Sequence, residues 1–356
     1  MIQVYFSSEE HRRAYARVLE LQAGLLSTQA KDEELVNVRV LGFLLLEFIE
    51  RRGILGDGPA DCLSEKIVEV ECLEDVSKLG GLYREKLVRT FLKTDKRKHT
   101  PPSSHSSRQD EFDTIEQSIV EMMKGSDKDY RTARKRALAR DGFRCAVSGS
   151  YDRISCVSNS ELLSRARLGQ GRADLKCCCI LKEGMMRGVD TIVDEVSHDA
   201  AGRATSVLEL LGLGDLEDQD GLSRMDGVYD LSNILILRDD LHGLFDRLGL
   251  WFEATTEDNT YRVCIPEPSD IPPYAYNDLV HFEDHSGRGL SLPSRWLLTL
   301  HAVCARVAHM SGAVGFLEEL DCEVEDTFVL AGDGSSARLL DHALNPYSIV
   351  PSEPVA

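Results

Sequence analysis

DLSNILILRDDLHGLFDRLGLWF, residues 230–252, is the stretch whose parsing decides the fold. Asn233 stands just before the apolar run Ile234–Leu237, which reads as a strand. Asp239 and Asp240 are helix-starting residues, and a short helix then carries His242, Phe245 and Asp246. Gly249 is read as the end of that helix, and Leu250–Phe252 as the opening of the next strand. Across such a strand-to-helix junction an Asn and a His can bring their side chains to one point. The strand holds the Asn backbone still, and a His in the first helical turns faces back toward it. A neutral imidazole placed there is a natural ligand for a divalent ion, while the Asn amide can fix a loop or a second ligand.

Two further segments lie upstream. Residues 135–149 read KRALARDGFRCAVSG and are followed by Tyr151 and Asp152; residues 177–183 read CCCILKE. In this order the three motifs resemble the HNH endonuclease family in its fungal type, over roughly the central half of the chain. The resemblance implies an α+β architecture: a ββα-metal domain with a helical insertion, preceded here by an N-terminal helical region. It also implies one divalent ion per domain, magnesium or manganese rather than zinc, and hydrolysis of a nucleic-acid phosphodiester, DNA rather than RNA. In such a site the ion stabilises charge on the phosphate and the leaving oxygen, and a His takes a proton from water. Cys179 stands where that base His is expected. The site set implied is therefore Cys179, Asn233 and His242, with His242 and Asn233 toward the metal and Asp246 orienting His242 from the same helix face.

A thiol is a poor partner for magnesium and a poor general base for water. Two functional classes follow: a metal-dependent nuclease impaired by the missing base, or a catalytically inactive HNH-type module that binds nucleic acid or protein. A structural zinc site on Cys177, Cys179 and His242 is a third reading, since alternate residues of a strand share a face. Three buried small hydrophobes on a core strand are the plainer reading of Cys177, Cys178 and Cys179. His198 is the other imidazole near these motifs, and no spacing brings it to the same point.

The chain has 356 residues and a formal charge of −19, which works against nonspecific attraction to phosphate. The exception is Lys124–Arg144, with eight basic residues against three acidic. Arg134, Lys135, Arg136, Arg140 and Arg144 are the candidate nucleic-acid contacts in it. Ten cysteines without a CxxC pair read as mostly reduced thiols of an intracellular protein, in nucleus or cytoplasm. The longest apolar run, Val40–Ile49, is broken by Glu47 and is too short to cross a bilayer, so no membrane partner is expected.

In chain order, residues 1–98 read as a helical region. Ala14, Val18, Leu21 and Leu25 mark one helix, and Leu35, Val38, Leu41, Leu45, Phe48 and Ile49 the broad face of a second. Such helices offer a surface for protein partners. Residues 99–112, rich in Pro and Ser, read as a linker. Residues 113–320 form the HNH-like domain: a strand at Phe143–Val147, a strand at Leu175–Leu181, a helical and acidic insertion from Glu183 to Tyr229, a hairpin of Leu250–Ala254 with Thr260–Ile265, and a closing helix at Arg295–His309. Residues 321–356 read as an acidic, disordered tail.

Overall fold

Helical spacing of apolar residues builds the first third of the chain, as expected. The structure, a computed structural model, describes residues 6, 8–28, 31–70, 72–92, 112–124, 129–182, 210–213, 227–266 and 276–326. It is an α+β protein. The chain divides into two units, one of 1–91, 183–216 and 303–356, the other of 92–182 and 217–302.

The first unit is helical. α1 (Glu9–Thr28), α2 (Asp32–Glu50), α3 (Arg52–Leu55), α4 (Gly58–Glu69), α5 (Leu73–Tyr83) and α6 (Arg89–Leu92) follow one another. A π-helical turn, Arg84–Val88, joins the last two. α2 is the centre: Val38, Leu41, Leu45 and Phe48 are wholly buried on the face read from their spacing. α5 meets α2 backbone to backbone, because a Cβ on Gly80 would collide with the Asn37 carbonyl. The π turn carries Arg84, whose guanidinium donates to Asn37 Oδ1 (2.6 Å) and Glu33 Oε1 (3.0 Å) and lies 4.4 Å from the Phe316 ring centroid. His11 is buried with its Nε2 2.8 Å from Asp61 Oδ1, a packing role.

Two expectations about boundaries change here. The closing helix is longer than read, and its second half, with the helix after it, belongs to the first unit rather than to the domain expected over residues 113–320. The tail was expected to loosen at Asp321, yet a helix runs over Ala313–Asp326. Buried Leu317 and Leu320 hold it to its own unit, and Arg89 lies 4.0 Å from Asp321. Residues 327–356 lie outside the described residues, as do 93–111 of the basic cluster and linker and 183–209 of the insertion, His198 included.

The second unit holds α7 (Ile115–Met122), α8 (Tyr130–Arg140), α9 (Arg153–Ser158) and α10 (Ser160–Leu168), and then the small sheets. β1 (Tyr151–Asp152) pairs in parallel with β2 (Arg172–Ala173). β3 (Leu175–Cys179) pairs antiparallel with β4 (Ile234–Arg238), and α11 (Asp239–Asp246) follows β4 directly and packs on both strands. The expected hairpin is present as β5 (Trp251–Ala254) with β6 (Thr260–Cys264), joined by β7 (Leu279–His281). α12 (Arg295–Ser311) and α13 (Ala313–Asp326) complete the described chain; no single described helix is long and apolar enough to cross a membrane.

Phe143–Val147 is a turn, not a strand. Gly142 (φ 62°) and Phe143 (φ 61°) are consecutive left-handed residues that reverse the chain after α8, and Phe143 N–H reaches back to Leu138 O at 2.7 Å. Phe112, read as linker, is anchored by its N–H to Ser158 O at 2.8 Å. α11 also ends differently from the reading: the left-handed residue is Leu248 (φ 57°). Gly249 serves a close approach instead, its N–H bonded to Leu244 O at 2.8 Å and its missing Cβ leaving room for the Leu244 side chain.

Candidate functional site

The antiparallel register of β3 against β4 sets Cys177 opposite Ile236, Cys178 opposite Leu235 and Cys179 opposite Ile234. Past the strand, pairing continues through Asn233 rather than through β4. Ile180 N–H donates to Asn233 O (2.8 Å), Leu181 N–H donates to Asn233 Oδ1 (2.7 Å), and Asn233 Nδ2 donates to Leu181 O (3.0 Å) and Val228 O (2.9 Å). Asn233 is wholly buried. Its amide is a clamp on backbone, the loop-holding role, and both of its polar atoms are engaged there.

Arg140 fixes the same corner from α8. It is wholly buried, donates to Leu231 O (2.7 Å), Ile234 O (2.8 Å) and Ser291 O (3.1 Å), and holds Asp141 through Nε (2.6 Å) and Nη2 (3.0 Å). Ser232 and Asn233 are thereby framed between two carbonyls that one guanidinium binds. Arg140, expected at a phosphate, is a structural post.

His242 and Asp246 lie one turn apart on α11, with Nε2 3.3 Å from Asp246 Oδ2. Asp246 is buried, and Lys182, three residues beyond the end of β3, places its ammonium on Asp246 Oδ1. The thiol of Cys178, wholly buried, points to the same oxygen at 3.9 Å. One donor atom each from Cys178, His242 and Asp246 lies within 4.8 Å of the others. Among the described residues this is the cluster of Cys, His and acidic side chains with the spacing of a metal site.

Charge states follow from burial. Desolvation lowers the His242 pKa, and the Asp246 carboxylate only partly offsets it. Burial raises Cys178 well above an ordinary thiol, so it carries its proton. Burial opposes the charge on Lys182, but the thiol and carboxylate around it outweigh that and raise its pKa. At neutral pH the imidazole and the thiol of the cluster are neutral and Lys182 is an ammonium.

Cys179, the residue at the position of the expected base, does not belong to this trio. It is half-buried, and burial, only partly relieved by Lys182, pushes its thiol up to about 11. Cys177 and Cys179 instead sit close enough to Tyr130 to act on its hydroxyl, which burial chiefly pushes up to about 12. The metal-site spacing thus falls on Cys178 rather than on Cys177 and Cys179. Sequence reading missed Cys178 and Lys182. Strand alternation opposes Cys178 to its two neighbours, but only the register says which face meets α11.

These donors do not suit magnesium or manganese, which take oxygen ligands. The trio offers one carboxylate, already neutralised by Lys182, and a sulfur that such ions avoid. Thiol, imidazole and carboxylate form a set for zinc, if the ammonium were gone.

The remaining basic side chains of α8 and of the turn after it are unequal. Arg134 donates to Asp152 Oδ1 (3.1 Å) and Leu175 O (3.4 Å). Arg144 lies 3.1 Å from His285 Nε2 and 5.9 Å from the Tyr151 ring centroid. Arg136 is half-buried, while Arg131 and Lys135 are exposed. Among the described residues of the run, Arg134 and Arg140 are engaged within the protein, and Arg131 and Lys135 are the exposed cations of α8.

Comparison with protein-family models, with curated proteins and with solved structures finds no match to this chain.

Proposed function

We propose that the second unit is an HNH-like, ββα-type domain that no longer hydrolyses phosphodiesters and serves as a binding module. What supports the ancestry is the order of parts: an antiparallel strand pair, an Asn that clamps the loop between them, and a helix straight after the second strand that presents His242. What carries the loss of catalysis is the thiol at the base position. Cys179, pushed up to about 11, keeps its proton at neutral pH and takes none from water. General-base assistance contributes on the order of a hundred- to ten-thousandfold to such reactions. The hard-metal chemistry that the resemblance implies also finds no suitable donor set, so no step is routed through an ion.

Nucleic acid is the partner that the resemblance implies, DNA before RNA, and Arg131 and Lys135 are the α8 cations most open to it. The test is nicking of supercoiled plasmid in magnesium or manganese. The natural chain is expected to leave the plasmid closed. Metal-dependent nicking that His242→Ala abolishes would overturn the non-catalytic reading.

A further inference from the structure

Asp246 is a buried carboxylate with three neighbours of different kinds: an ammonium, an imidazole and a thiol. A buried carboxylate needs a counter-charge, and here Lys182 supplies it from a neighbouring strand end rather than from α11. The arrangement is neutral as it stands. Replacing the ammonium by a zinc-class dication, with Cys178 giving up its proton, is neutral as well: two positive charges against one thiolate and one carboxylate. Keeping both cations is not, because two positive centres would then share the buried Asp246 within a few ångströms.

We propose that Lys182 is a tethered cation that fills the place of a metal ion, and that Cys178, His242 and Asp246 form a latent zinc-class site that opens when that ammonium is removed. The three donor atoms lie within 4.8 Å of one another, close enough for small side-chain shifts to bring them to the roughly 3.3–3.8 Å separations of ligands on one tetrahedral ion. Three protein ligands leave the fourth position for water. On binding, the Cys178 S–H bond breaks, a Zn–S bond forms, and the proton passes to solvent. The proposal rests on the non-catalytic reading of the same residues. It is tested without a cleavage assay, so the two can fail separately.

The experiment compares the full chain with Lys182→Ala and with Lys182→Ala/Cys178→Ser. After exposure to zinc chloride and dialysis, Lys182→Ala is expected to retain about one zinc more per chain than the natural protein, with a proton released on titration and an upward shift of the unfolding temperature. Cobalt(II) in place of zinc should give Lys182→Ala a sulfur-to-metal charge-transfer band that the natural chain lacks. Adding Cys178→Ser should abolish the band and the extra zinc. Should Lys182→Ala lose its fold in chelator, zinc is expected to restore its helical circular dichroism. Three results would overturn the proposal: a natural chain that itself holds zinc through Cys178, a variant that neither gains nor is refolded by zinc, or extra zinc that survives Cys178→Ser.

Discussion

Glu47 in the first unit and Asp246 in the second are each a buried carboxylate set against a cation, and the two pairs differ in kind. In the first unit Arg306 grips Glu47 with two donors, Nε to Oε1 at 2.9 Å and Nη2 to Oε2 at 2.6 Å, with the side chains 13% and 9% exposed. In the second, Lys182 meets Asp246 with the side chains 22% and 7% exposed. The fork of an arginine matches a carboxylate and satisfies both oxygens, a geometry suited to joining helices. An ammonium is a point charge that engages one oxygen and leaves the other facing His242. Burial alone therefore does not tell the two pairs apart; the thiol and the imidazole beside Asp246 do.

The largest losses of stability are expected when one partner of each pair is removed. Glu47→Gln removes the carboxylate that Arg306 grips and is expected to cost ~3–5 kcal/mol in urea unfolding, with zinc making no difference. Asp246→Asn should cost a similar amount, since it leaves the Lys182 ammonium uncompensated. Equal insensitivity of Lys182→Ala and Glu47→Gln to zinc would erase the distinction between the two sites.

Next in size is the clamp beside the second pair. Asn233→Ala strands the N–H of Leu181 and two carbonyls, and is expected to cost on the order of 2–3 kcal/mol. A loss below half a kcal/mol, by the same unfolding curve, would mean that the clamp carries no weight. Stability against pH sharpens the picture from beneath α11. His301 is wholly buried, stacks on Phe245 at 3.8 Å between centroids, and has its Nε2 3.2 Å from Phe245 O. Burial, which the Phe245 carbonyl only partly opposes, lowers its pKa from 6.5 to about 3. A His depressed in the folded state contributes stability that is fully present above the unfolded pKa. That contribution is lost as the pH falls from 6.5 toward 3, at up to ~1.4 kcal/mol per pH unit. His301→Gln or His301→Leu should flatten that limb of the curve.

The smallest effects belong to the α8 surface. Lys135→Ala is expected to change stability by less than about 0.5 kcal/mol. If Arg131 and Lys135 are the α8 side chains that meet phosphate, the log–log salt slope of DNA binding should be no steeper than about −2. A much steeper slope would place the contact surface elsewhere.

Much of the backbone was legible because local signals suffice for it. The apolar face of α2, the Ile234–Leu237 strand, the helix that carries His242 and Asp246, and the β5–β6 hairpin all follow from periodicity and turn residues. What escaped depends on partners distant in the chain. Arg140 reads as one of many surface cations, since nothing nearby announces that Leu231, Ile234 and Ser291 will offer their carbonyls to it. Cys178 was passed over in favour of Cys177 and Cys179 because strand alternation fixes which residues share a face but not which face meets the helix. Lys182, one residue past the expected Leu175–Leu181 strand, had no role until α11 brought Asp246 to it. Phe143 and Leu248 were misread because left-handed residues are usually glycines, and here a side chain takes the position beside or instead of one.

Anomalous diffraction from crystals of the natural chain grown in manganese, and separately in zinc, asks whether Lys182 or an ion sits on Asp246. No anomalous peak is expected among Cys178, His242 and Asp246, with density for the Lys182 ammonium on the carboxylate. A peak ligated by His242 and Asp246, with Lys182 turned away, would contradict that expectation.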